Sequence, residues 1–131
     1  RFDRDVVATA LREAEEEIAL PATPLAVLGT LTPLYINVSK FLITPVVALY
    51  TGRDPFHWDR LIPQADEVAR IERLPLCSLD RTRATRTITV RGSFRTVPSF
   101  QLGDEVVWGA TAMMLAELIA VCARAACCDA V

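Results

Sequence analysis

The chain has 131 residues, of which 52% are hydrophobic and 23% are charged, so it can fold as one globular domain and is not disordered. A formal net charge of −2 argues against a nucleic-acid-binding surface, which normally carries a basic excess. The longest apolar run, residues 106–121, contains Glu117 and is shorter than the ~20 clean residues of a membrane span.

The first predicted element is a helix over residues 5–20. Four aliphatic residues recur at helical spacing, which places them on one face: Val7, Leu11, Ala14 and Ile18. Asp3 or Asp5 is a suitable residue to cap the start of this helix, and Pro21 is expected to end it.

Apolar and β-branched segments predict strands in the middle of the chain. Two of them cover residues 25–31 and 41–50, and the continuous hydrophobicity of the second predicts burial on both faces. Residues 67–76 predict another strand with Pro75 near its end, followed by a turn-like segment at residues 80–86.

The C-terminal part predicts a hairpin around Gly92 and a buried final helix from Glu105 onward. Phe100 and Trp108 are expected to be core or helix-docking residues. Together these elements indicate a single α/β domain over residues 1–131, with a mixed sheet.

The acidic part of the first helix is the most informative stretch. At about 100° per residue, Glu13, Glu16 and Glu17 lie within an arc of roughly 100°, opposite the apolar face. These carboxylates repel each other unless a cation compensates, and hard divalent ions prefer oxygen ligands. Arg12 is placed to orient one carboxylate through a bidentate contact. A solvated helix surface without chemistry also fits this pattern, so the residues alone leave both interpretations open.

A wider pattern around these acids resembles a known motif. Residues 9–14 (TALREA) and 16–18 (EEI) resemble the second half of the Nudix box, Gly-x5-Glu-x7-Arg-Glu-U-x-Glu-Glu-x-Gly-U, in which U is aliphatic. Ala19 stands where the box has glycine. Later segments are similar, in order, to the coenzyme A pyrophosphatase branch, at residues 33–46, 66–76 and 98–112, the last containing WGATA.

The resemblance implies a fold and an activity. The fold is a Nudix-like α/β/α sandwich with a mixed sheet, in which the N-terminal strands are expected to be missing from this chain. The activity is hydrolysis of the diphosphate bond of coenzyme A or its derivatives, with Mg²⁺ or Mn²⁺ as cofactor. The implied products are 3′-phosphoadenosine 5′-phosphate and 4′-phosphopantetheine.

The resemblance also implies roles for individual residues. The expected metal ligands are Glu13 and Glu17, with Glu16 as a further ligand or outer partner. Arg12, Glu13 and Glu16 form the expected catalytic set, in which Arg12 orients the carboxylates. The general base is left open between Glu13 and an acid from a later loop, such as Glu67.

Two other hypotheses are consistent with the sequence. One is a Nudix hydrolase of another nucleoside diphosphate derivative, because the box does not identify the leaving group. The other is a Nudix-like domain that binds a nucleotide or protein without hydrolysis, which Ala19 favours and the intact glutamates oppose. The expected partner is a small-molecule substrate, with no nucleic acid and no membrane. The expected compartment is the cytoplasm, or the peroxisome in a eukaryote.

Overall fold

Helices and paired strands follow one another along the chain in a computed structural model that describes residues 5–37, 39–79, 83–90 and 92–128. The elements in these ranges are α1 (Val6–Ile18), β1 (Leu25–Thr30), β2 (Leu34–Ile36), β3 (Phe41–Ile43), β4 (Val46–Tyr50), a 3₁₀ turn (Trp58–Arg60), α2 (Leu76–Leu79), β5 (Arg83–Val90), β6 (Ser93–Leu102), β7 (Glu105–Trp108) and α3 (Gly109–Cys128). This content confirms the α/β class.

Contacts divide the chain into two units. The first comprises Arg1–Tyr35 and Phe41–Glu72, and the second comprises Ile36–Lys40 and Arg73–Val131. The single domain over residues 1–131 stays a prediction.

Helix α1 begins and ends at residues that bond its free main-chain groups. The Asp5 carboxylate caps the start, since its Oδ1 accepts a hydrogen bond of 2.7 Å from the Ala8 N–H. The helix ends at Ile18, before Pro21, because Ala19 adopts a left-handed conformation with φ 54° and ψ 32°. An alanine there costs on the order of 1 kcal/mol relative to glycine. The helix is confirmed, although it is shorter than residues 5–20; Asp3 lies outside the described residues.

The first unit contains an antiparallel ladder between β1 and β4. Its register runs from Leu25 opposite Tyr50 to Thr30 opposite Val46, with a bulge between Val27 and Gly29. The strand predicted at residues 25–31 is therefore confirmed, and its partner lies in the second predicted strand.

That second predicted strand, residues 41–50, is wrong as one continuous element. It is divided into β3 and β4, and β3 pairs with β2. The break falls at Thr44 and Pro45, where proline has no N–H to donate to a ladder. Burial on both faces is also wrong, since Phe41 is 69% exposed and Leu42 is 66% exposed.

Residues 67–76 do not form the predicted strand. The Gln64 carbonyl accepts the N–H groups of Glu67 (3.0 Å) and Val68 (2.8 Å), so the segment starts in a turn. It continues without regular structure to α2, which begins at Leu76. Apolar spacing produced the prediction, but these residues have no strand partner among the described pairings.

The second unit contains an antiparallel sheet of β5, β6 and β7, in that order. Arg83 lies opposite Phe100 and Val90 opposite Ser93, so the hairpin around Gly92 is confirmed and is longer than predicted. The turn predicted at residues 80–86 is wrong from Arg83 onward, and its first three residues lie outside the described part. The pairings with a described register are antiparallel, and the parallel pairs of a mixed sheet are not among them.

The final helix begins later than predicted. Glu105–Trp108 forms β7 and pairs with the end of β6, because two valines and a tryptophan favour a strand. Gly109, with φ 69°, then makes the change into α3. None of the helices in the described part is long and apolar enough to cross a membrane.

The buried core of the described residues lies in the second unit. Phe100 and Ala112 are fully buried, and Leu79 is nearly so. Partly buried hydrophobic residues pack around them, namely Leu102, Val107, Leu115, Ala116 and Ile119. Phe100 is thus confirmed as a core residue, whereas Trp108 is 47% exposed.

Candidate functional site

The predicted site lies on α1, whose faces have different chemistry. The aliphatic residues Val7, Leu11, Ala14 and Ile18 are all partly buried. Among the acids, Glu13 and Glu17 are partly buried, while Glu15 and Glu16 are exposed. Glu13 and Glu17 therefore lie at the boundary between the packed side of the helix and solvent.

Arg12 connects two of the predicted site residues. Its Nη2 lies 2.5 Å from Glu13 Oε1, and its Nη1 forms an ion pair with Glu16 Oε2. The guanidinium spans the two carboxylates through different nitrogens, whereas the sequence suggested a bidentate contact with one. The side chain of Arg12 is 32% exposed, compared with 45% for Glu13 and 57% for Glu16. Such a bridge reduces the repulsion between the acids and limits their rotamers.

Glu17 lies at the end of α1, which main-chain hydrogen bonds connect to a later segment. The Gln64 N–H donates to the Glu17 carbonyl at 2.8 Å, and the Ile62 N–H donates to the Ile18 carbonyl at 3.1 Å. These bonds satisfy carbonyls that a helix end leaves without partners. Among the described residues, the Glu17 carboxylate has no hydrogen-bond or ion-pair partner.

Glu67, the alternative general base, follows the same segment. Glu67 is exposed and lies in the turn that is closed by hydrogen bonds to the Gln64 carbonyl. Chain connectivity therefore puts Glu67 three residues after the amide that bonds Glu17. This location is compatible with its proposed role and does not test it.

The donor set is chemically suited to a hard divalent cation. After the bonds to Arg12, Glu13 Oε2, Glu16 Oε1 and both Glu17 carboxylate oxygens have no partner among the described residues. Mg²⁺ commonly takes one or two carboxylates and completes its shell with water and substrate phosphate. Within the described ranges, however, no three acidic, histidine or cysteine side chains form a group that could hold a metal by themselves. Glu13, Glu16 and Glu17 are therefore not arranged as a complete ligand group, and their role as metal ligands stays a prediction.

A cavity that the sequence did not reveal lies beside the N-terminal half of α1. It has a volume of about 240 Å³ and is lined by Val6, Thr9, Ala10, Leu42 and Thr44. The sequence does indicate that Val6 and Ala10 lie on the same helix face as Glu13 and Glu17, because all four have helical spacing. The contribution of Leu42 and Thr44 depends on the fold, because they are distant in the chain.

Similar proteins identify the family. No family model matches the chain. A protein of Pectobacterium atrosepticum named Uncharacterized Nudix hydrolase NudL is 46% identical over 76 residues, which cover 58% of this chain and 36% of that protein. Proteins of the same name from Cronobacter sakazakii and Yersinia pestis are 34% and 35% identical, each over 88% of this chain and over 58% and 56% of their own lengths. The chain therefore spans about half the length of these two relatives. Because this sequence similarity extends over most of its length, the chain belongs to the Nudix superfamily and has a Nudix-like α/β fold.

Proposed function

We propose that the protein is a Nudix hydrolase that cleaves a phosphoanhydride bond with the help of a divalent cation. The observation that carries this proposal is the acidic end of α1, where Arg12 bridges Glu13 and Glu16 while the Glu17 carboxylate has no partner among the described residues. The relatives support it, because their printed names are those of Nudix hydrolases.

The acidic residues of α1 are suited to bind a cation that offsets the negative charge of the substrate. A diphosphate carries negative charge that repels a nucleophilic water. A bound Mg²⁺ or Mn²⁺ would screen this charge and polarise a phosphoryl oxygen. Glu13 and Glu17 are the proposed ligands of the cation, and Glu16 is a further ligand or outer partner. Arg12 holds Glu13 and Glu16 in fixed orientations, and Glu13 or Glu67 accepts the proton of the attacking water.

We propose coenzyme A or its derivatives as the substrate. The support is the ordered resemblance of residues 33–46, 66–76 and 98–112 to the coenzyme A pyrophosphatase branch. Cleavage of the diphosphate would give 3′-phosphoadenosine 5′-phosphate and 4′-phosphopantetheine.

The test is to incubate the protein with coenzyme A and either Mg²⁺ or Mn²⁺ and to quantify both products by mass spectrometry. Glu17→Gln should lower turnover more than ~100-fold, beyond the ~10–100-fold typical of a residue that only supports a metal ligand. Glu15→Gln is the matched control, because Glu15 is exposed on the same helix and lies outside the acidic arc. It should keep turnover close to that of the unmodified protein.

The other outcomes distinguish the alternatives. Faster cleavage of a nucleotide sugar or a dinucleoside polyphosphate would assign another substrate to the same chemistry. Absence of hydrolysis at every metal concentration, with nucleotide binding unaffected by Glu17→Gln, would overturn the enzymatic proposal in favour of a binding domain.

A further inference from the structure

We propose that the cavity beside α1 holds the uncharged arm attached to the diphosphate of the substrate, and that Ala10, Leu42 and Thr44 determine which arm is accepted. This inference rests on the proposed function and deepens it. It begins from the position of the cavity, whose described lining residues come from α1 and from the segment around β3, both in the first unit.

The cavity and the acids share one side of the helix. At about 100° per residue, Val6, Ala10, Glu13 and Glu17 fall within roughly 60° of one another. At ~1.5 Å per residue, Thr9 lies about 6 Å along the helix axis from Glu13. A diphosphate held at Glu13 and Glu17 therefore places its next group at the mouth of the cavity.

The size of the cavity suits part of a substrate. Its volume of about 240 Å³ is below the ~300–1,000 Å³ of sites that enclose a whole drug-sized ligand. The charged diphosphate then stays outside, beside the acids, and one flexible arm occupies the cavity.

Among the described residues that line the cavity, no side chain is charged, which disfavours a phosphate as its occupant. Val6, Ala10 and Leu42 provide aliphatic walls. Thr9 uses its hydroxyl hydrogen to donate to the Asp5 carbonyl at 3.2 Å, so its oxygen remains an acceptor. The hydroxyl of Thr44 has no partner among the described residues and is able to donate or accept.

This combination matches an alkyl chain with secondary amides, such as the pantetheine arm of coenzyme A. Each amide has one N–H and one carbonyl, which the two hydroxyls can bond, while the methylene groups contact the aliphatic walls. A sugar ring has a hydroxyl on most of its carbon atoms and no comparable run of methylene groups, so it matches the aliphatic walls less well.

The test compares two identical substitutions on the same helix. Ala10→Leu adds three carbon atoms to the wall of the cavity, whereas Ala8→Leu adds the same atoms at an exposed position about 160° away around the helix. Ala10→Leu should raise KM for coenzyme A about tenfold with little change in kcat, because it removes binding of a group remote from the reacting bond. Ala8→Leu should leave both constants unchanged, and circular dichroism verifies that both variants fold.

A second measurement does not depend on catalysis. Saturation-transfer NMR with pantetheine, which lacks the diphosphate, should show binding to the unmodified protein and to Ala8→Leu but not to Ala10→Leu. Thr44→Val keeps the shape of the residue and removes the hydroxyl, so it should weaken pantetheine binding several-fold, as expected for one lost hydrogen bond. If Ala10→Leu does not fold, equal pantetheine binding by Thr44→Val and the unmodified protein overturns the assignment of the cavity.

The outcomes separate this inference from the proposed function. If coenzyme A is hydrolysed but Ala10→Leu and Ala8→Leu have equal KM values, the assignment of the cavity is overturned and the hydrolase stands. If no diphosphate is hydrolysed, the proposed function fails, and pantetheine binding alone tests the assignment of the cavity. Loss of binding only in Ala10→Leu supports the assignment. Equal binding by Ala10→Leu and Ala8→Leu overturns the assignment.

Discussion

Arg12 is the residue that gives the acidic end of α1 its order. Its guanidinium contacts Glu13 and Glu16 through separate nitrogens. A lysine would carry the same charge as a point and cannot reproduce this planar fork. Ion pairs this exposed contribute at most about 1 kcal/mol to the free energy of unfolding. The main effect of Arg12 is therefore to orient the two carboxylates.

We predict that Arg12→Lys lowers turnover about 10–100-fold, as for residues that orient metal ligands, while the free energy of unfolding changes by less than about 1 kcal/mol. The measurements are steady-state kinetics with Mg²⁺ and urea denaturation. Arg70→Lys is the matched control, since Arg70 Nε forms an ion pair of 2.6 Å with Glu72 Oε1 that includes none of the predicted site residues. It should leave turnover unchanged. An Arg12→Lys enzyme of normal activity would show that net charge alone is sufficient at this position.

At the scale of the element, the start of α1 depends on the residue that precedes it, Asp5. The Asp5 side chain accepts the N–H of Ala8, one of the donors that a helix start leaves free. Asp5→Ala should lower the free energy of unfolding by about 1 kcal/mol, whereas Asp5→Asn should keep most of it because an amide oxygen also caps. Chemical denaturation of the three proteins tests this. Equal losses in both variants would mean that the charge, and not the hydrogen bond, stabilises the helix start.

The elements that could be predicted from the sequence are those specified by nearby residues. Helix α1 has its cap and its apolar stripe within its own length, and the β5–β6 hairpin has a glycine at its turn. The contacts of Arg12 with Glu13 and Glu16 could be anticipated for the same reason, because neighbours on one helix meet without help from the rest of the chain.

The elements that were missed depend on distant partners. Val68 and Leu74 have the spacing of a strand, yet the N–H of Val68 bonds the Gln64 carbonyl in a turn. The segment after Gly103 reads as helix until its pairing with β6 is known. Leu42 and Thr44 reach the cavity on α1 only through the fold, and no local pattern indicates this.

At the scale of the whole molecule, the buried core of the described residues is concentrated around β6 and α3 in the second unit. Phe100 is fully buried on β6, while Phe94 on the same strand is 82% exposed. Phe100→Ala should therefore lower the free energy of unfolding by ~3–5 kcal/mol, and Phe94→Ala should change it by less than about 0.5 kcal/mol. Thermal and urea denaturation measure both. Similar losses would contradict the position of the core.

The main-chain hydrogen bonds from Ile62 and Gln64 to the acidic end of α1 have an evolutionary consequence. Ile62 and Gln64 act through their N–H groups, which every residue type except proline possesses. Selection that preserves this contact does not act on the identity of their side chains, so related genes are free to drift at both positions. Proline is the substitution that removes the donor at either position.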